Sequence, residues 1–267
     1  MTLKQENTTQ NSAAVIEGIT QQFLAMNLPH LAEASLYLGT PISILENFHQ
    51  ALNEQRSGDE KKRFNNRMRY AGIYGERTSD TFKWDENTYP LAEPGVIESS
   101  LSIEFVSQRK NLIVTGPPGV GKSLLVIIIA CKALWAKFSV KYKTAHDIAI
   151  ELKEARAGNS LAGYIKKLKA YDVLVIEDVA YATFEKRAAQ ALFSIIDKRY
   201  GRKTTIITSN RNINDWAASL PDKSMSTAVL GRFYENALRV NMNGAQDMRL
   251  KHAKSFSENT AKDDEVV

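Results

Sequence analysis

One cysteine, Cys131, serves the whole chain of 267 residues, so no disulfide can form within it. Cys131 lies inside an apolar run, where a buried packing role is expected rather than a reactive thiol. That run, Leu124–Cys131, is the longest in the sequence and Lys132 ends it. It falls well short of the ~18 apolar residues a membrane-spanning helix needs. The opening residues MTLKQENTTQNS have neither the basic flank nor the apolar stretch of a secretory signal, so a cytoplasmic location is expected. Internal repeats and low-complexity tracts are also missing, which argues against a solenoid or a linker-dominated chain.

What is present fits a soluble globular domain with a smaller appendage: 43% of residues are hydrophobic and 24% are charged. A net charge of +5 and a pI near 9.1 tilt the chain toward polyanionic partners. Residues 1–12 and 255–267 are polar and aperiodic and read as disordered tails. Residues 13–78 read as a small helical domain. Ile16, Ile19, Phe23 and Met26 keep helical spacing, and Ile42, Leu45, Phe48 and Leu52 repeat it after Pro41. The basic stretch that follows places Lys61, Lys62, Arg63, Arg67 and Arg69 around Phe64, Met68 and Tyr70. It is either a solvated helix face or a nucleic-acid contact. Residues 81–94 lose periodicity and read as a linker into a second domain, 79–254.

From Asn111 onward strands and helices alternate, the signature of a parallel α/β sheet. Strands are expected at Leu112–Thr115, Val140–Lys143, Val173–Glu177, Thr204–Ser209 and Leu238–Asn241. Thr144–Asp147 reads as a helix cap, Gly158 as that helix's stop, and Ala188, Ala191, Leu192, Ile195 and Ile196 as a further helical stripe.

The stretch Gly116-Pro117-Pro118-Gly119-Val120-Gly121-Lys122-Ser123 matches G-x-x-x-x-G-K-[ST] between a predicted strand and a helix that Leu124 continues. Its glycines let backbone N–H groups curl around phosphates, Lys122 neutralises the outer phosphates, and Ser123 offers a hydroxyl to Mg²⁺. ATP with Mg²⁺ is therefore the expected ligand. Val126–Ile129 would prefer a strand, but the loop demands a helix here, and a helix buried all round tolerates that composition. Downstream, Val173–Ile176 runs into Glu177 and Asp178, where P-loop ATPases place an acid for Mg²⁺ and a second acid for the attacking water. Asn210, closing the next strand, could reach the outer phosphate or its water, or serve only as a turn residue. Arg232 reads as a surface arginine or as a finger reaching a neighbour's site.

Together GPPGVGKS, Asp172–Tyr181, Ile195–Tyr200, Thr205–Asn210 and Leu230–Phe233 resemble the IstB family, AAA+ transposition helper ATPases akin to the DnaC helicase loaders. Leu24–Glu33 and Arg63–Arg69 extend the resemblance into the helical segment. It implies an AAA+ core that assembles head to tail on duplex DNA when ATP is bound, and that recruits and activates a transposase. By the same pattern Asn210 is the first sensor, Arg232 the finger supplied in trans, and Arg249 a second sensor. Lys143, Thr144, Lys153 and Arg156 fall where this clade places DNA-facing helices, although an ordinary solvated face explains them equally. A helicase loader and a non-hydrolysing nucleotide-binding scaffold are the alternative functions.

Two departures stand out. The family shows Asp and then Asp or Glu, whereas here the long acid, Glu177, precedes the short one, Asp178. Slow turnover with both roles kept, one acid covering both roles, and binding without hydrolysis are all compatible with that order. Val179-Ala180-Tyr181 also lacks the glycine usual at its centre, which raises the question of how the turn is made.

Overall fold

Five parallel strands carry the larger unit: β1 (Asn111–Thr115), β2 (Val140–Thr144), β3 (Val173–Glu177), β4 (Thr204–Ser209) and β5 (Ala237–Asn241), in the spatial order β2-β3-β4-β1-β5. The computed structural model describes residues 2–33, 37, 40–82 and 89–248. The strands agree with the sequence expectation to within a residue at either end. Parallel strands need crossovers, and these are helical: α5 (Lys122–Trp135), α6 (Ala145–Ala157), α7 (Leu161–Ala170), α8 (Lys186–Arg199), α9 (Ile213–Ser219) and α10 (Lys223–Glu235). Two short helices, α3 (Pro94–Ser102) and α4 (Glu104–Ser107), lead into β1.

Strand alternation divides the core between the two sheet faces. Ile113, Leu174, Ile176 and Ile207 join Ile148, Leu152, Leu192, Ile196, Trp216 and Phe233 of the helices in one continuous cluster. The alternate residues, Leu112, Val114, Val173, Val175 and Ile206, are equally buried, on the face covered by α5. Burial resolves the conflict in α5: Val126, Ile128 and Ile129 are fully enclosed, so packing overrides their preference for strands. Cys131 is buried in the same helix, as expected. The Thr144 hydroxyl accepts from the N–H of Asp147 at 3.0 Å and so caps α6.

The chain divides into two compact units between Asn66 and Arg67, earlier than the expected boundary at residue 78. The smaller unit holds α1 (Thr2–Ala25) and most of α2 (Ile42–Ala71). Ile19, Phe23, Ala32 and Leu45 form its core, with Val15, Ile16, Tyr37 and Leu52 packed around them. Residues 2–12 belong to α1 and not to a disordered tail. The stretch has no Gly or Pro and carries Lys4, Gln5, Glu6 and Gln10, so a helix nucleated by the buried stripe propagates through it at little cost. The expected tail at 255–267 lies outside the described residues. Among the described residues no helix is long and apolar enough to cross a membrane.

Candidate functional site

The loop after β1 curls because its glycines adopt conformations closed to other residues. Gly119 and Gly121 have φ of 81° and 97°. At Gly119 space is also limiting, since a Cβ there would lie 2.1 Å from the Asp247 carboxylate. The N–H of Met248 donates to the carbonyl of Gly119 at 3.0 Å, so the segment after β5 is fastened to the loop. Lys122 opens α5 and is buried; its ammonium donates to the carbonyls of Gly116 (2.7 Å) and Pro117 (2.8 Å).

A cavity of about 520 Å³ lies over this loop, lined by Pro118, Gly119, Gly121, Lys122, Ser123, Asp178, Tyr181 and Asn210. Three separate strand ends thus converge on one space, because β3 and β1 both pair with β4. The side-chain amide oxygen of Asn210 is buried there without a hydrogen-bond partner among the described residues. A buried acceptor left without a donor is costly, and on a residue that lines this cavity it fits a site completed by water.

The two acids part company. Asp178 lines the cavity, half-buried, in a left-handed conformation (φ 55°, ψ 47°), and its N–H donates to the Thr208 hydroxyl at 2.9 Å. Its carboxyl is pushed above the ordinary range, first by burial and then by the Glu177 carboxylate, with Lys122 opposing both. Glu177 is only 9% exposed and turns toward the neighbouring strand, where the Tyr142 hydroxyl donates to its Oε2. The left-handed residue of this turn is Asp178, and Ala180 lies inside the short 3₁₀ turn Val179–Tyr181. A glycine at position 180 is therefore not needed.

Several site residues escaped the sequence reading. Phe82 and Tyr89, both within the expected linker, are buried with their rings stacked at 5.6 Å. The Tyr89 hydroxyl donates to the carbonyl of Val120 at 3.0 Å, within the loop itself. Tyr181, 62% exposed, forms one wall of the cavity. Only the aromatic content of 81–89 signalled such a role, and composition alone could not aim it.

Other expected residues lie elsewhere. Arg232 is not among the cavity's lining residues: it is exposed on α10 and pairs with Asp197 of α8 at 3.0 Å. Lys61, Lys62, Arg63 and Arg69 are exposed on α2, while Arg67 is partly buried. Lys143 pairs with Glu151, Lys153 with Glu185 at 3.5 Å, Thr144 caps α6, and Arg156 is exposed. Arg249 and Leu250 lie outside the described residues.

The family model of the IstB-like ATP binding protein matches residues 22–256, which spans both units. The chain belongs to that family. It is 28% identical over 222 residues to the ATP-binding protein named for insertion sequence IS21 of Pseudomonas aeruginosa, covering 81% of this chain and 83% of that one. It is 26% identical to the counterpart named for IS232 of Bacillus thuringiensis subsp. berliner, over 92% of this chain and 96% of that one. Among solved structures, AMPPCP-bound DnaA from Aquifex aeolicus superposes with a TM-score of 0.55 at 21% identity, over 70% of this chain and 55% of that one. DnaI gives 0.50 at 20% identity, over 62% of this chain and 90% of that one. These likenesses establish an AAA+ P-loop fold with a helical N-terminal segment, as the IstB resemblance implied. Within the IstB-like family, this chain carries its two acids in the order Glu177, Asp178.

Proposed function

We propose that this IstB-like protein is an ATP-dependent DNA-binding ATPase that assembles on duplex DNA and recruits or activates a transposase. The observation that carries the enzymatic part is the single cavity over the glycine loop that Lys122, Asp178 and Asn210 line together. Its relatives named for insertion sequences support the transposition role.

In this reading backbone N–H groups of residues 119–123 receive the phosphates and Lys122 leaves its loop carbonyls to neutralise them. Ser123, Glu177 and Asp178 would hold Mg²⁺, which would supply positive charge to offset the charge developing on the phosphates. Asp178 accepts a proton from, or orients, the attacking water, a task that its raised affinity for protons suits. Asn210 fixes that water through its free acceptor, or the outer phosphate by donating its side-chain amide N–H. Arg232, exposed on α10, would reach the site of an adjoining subunit, giving a head-to-tail assembly whose state reports on nucleotide. Arg249 would act as a second sensor. Lys61, Lys62, Arg63, Arg67, Arg69, Lys143, Thr144, Lys153 and Arg156 are the candidate DNA contacts, directed mainly at phosphates.

Steady-state ATP hydrolysis without DNA, with single-stranded DNA and with duplex DNA tests the reading, with Lys122→Ala as the blank. Stimulation by duplex is the expected result. A preference for single strands would point to a helicase loader, and binding without turnover to a scaffold.

A further inference from the structure

The order of the two acids poses a geometric problem that β2 answers. A metal-holding acid at the end of β3 has to stop short of the phosphates, yet Glu177 is one methylene longer than the aspartate usual there. Tyr142 is paired in register with Val175, two residues before Glu177 on the same face of the sheet, so the phenol reaches diagonally across to the carboxylate. Its hydroxyl donates to Glu177 Oε2, leaving Oε1 for other partners. Tyr142 is only partly exposed, and its strand is secured on both sides: Lys141 donates to the Tyr70 carbonyl at 2.8 Å and Lys143 pairs with Glu151. The phenol is thus a fixed anchor.

We infer that Tyr142 is a positioning residue that holds the long first acid back, fitting the phosphate site to the order Glu177, Asp178. With Glu177 drawn toward β2, the short acid alone fronts the cavity, and the separation between a recessed metal-holding acid and an advanced water-directed acid is kept. The inference rests on the proposed Mg²⁺-ATP site.

The test follows binding of N-methylanthraniloyl-ATP as Mg²⁺ is titrated, for wild type, Tyr142→Phe, Glu177→Asp and the double variant. Wild type should bind more tightly as Mg²⁺ is added. Tyr142→Phe should keep the Mg²⁺-free affinity but need about 10-fold more Mg²⁺ to reach its midpoint. Adding Glu177→Asp to it should restore the wild-type midpoint, since a short acid needs no restraint. A Tyr142→Phe midpoint equal to wild type, or a double variant no better than Tyr142→Phe, overturns the positioning role while leaving the ATP site intact. Wild type with no Mg²⁺ response would overturn the site reading itself, and the inference with it. Thermal unfolding checks each variant; if Tyr142→Phe alone fails to fold, Glu177→Asp against the double variant reads the phenol directly. Equal midpoints then support the inference, and a shift between them overturns it.

Discussion

The N–H of Asp178 donates to the hydroxyl of Thr208, 2.9 Å away, and this single bond ties the turn after β3 to the last residues of β4. The partner of Asp178 in this bond is a fully buried threonine. Thr208→Val keeps the shape but leaves the Asp178 N–H without its partner. It should cost about 1–3 kcal/mol in urea unfolding. If the bond also aims Asp178, kcat for ATP hydrolysis should fall about 10-fold while nucleotide affinity stays within about 2-fold. An unchanged kcat would show that the turn holds itself.

Asp178→Asn should separate binding from turnover: ATP affinity is kept and hydrolysis is lost, read by filter binding and phosphate release. The substitution should also stabilise the nucleotide-free protein. Burial and the adjacent Glu177 raise the carboxyl above its ordinary value of 3.8, so the folded state binds this proton more readily than the unfolded chain. The group's penalty is absent below that value and grows as pH rises through the folded-state value. Hence Asp178→Asn should raise Tm by a few degrees at pH ~7 and by progressively less as pH falls toward 4.

Gly119→Ala meets two obstacles, a φ of 81° and the Asp247 carboxylate where the new Cβ must go. The left-handed backbone alone costs about 1–2 kcal/mol. Nucleotide binding should be lost or weakened at least about 10-fold, because the loop relieves the strain by opening. Gly119→Ala with Asp247→Ala should recover part of that loss, and equilibrium titration of both variants measures how much.

Away from the site, Asp172 sits at the start of β3, accepting from Lys203 and from both the backbone and hydroxyl of Ser139. Burial pushes its carboxyl up, but these donors prevail and hold it at about 2. Its stabilisation is complete above the unfolded value of 3.8 and is lost as pH falls from there toward 2. Asp172→Asn should lower Tm by about 2–4 °C at pH ~7, a figure kept small by the pair's exposure to water. The two proteins should converge in a melting series taken down to pH ~2.

The sequence by itself determined the strands, the phosphate loop and the two acids, because each is a local pattern: a short apolar run, a fixed glycine spacing, a charge at a strand end. Periodicity is written along the chain and needs no partner to be read. It also carried the family, since those patterns recur in fixed order. Tertiary structure decided which acid faces the cavity. Tyr142 and Glu177 are 35 residues apart and meet only because β2 pairs with β3 in one register. It likewise brought Phe82, Tyr89 and Asp247 to the loop, contacts across long separations that no periodicity encodes. The polar start of α1 was misread for the opposite reason. Composition alone suggested a tail there, while helix propagation from a buried stripe depends on packing further along the chain.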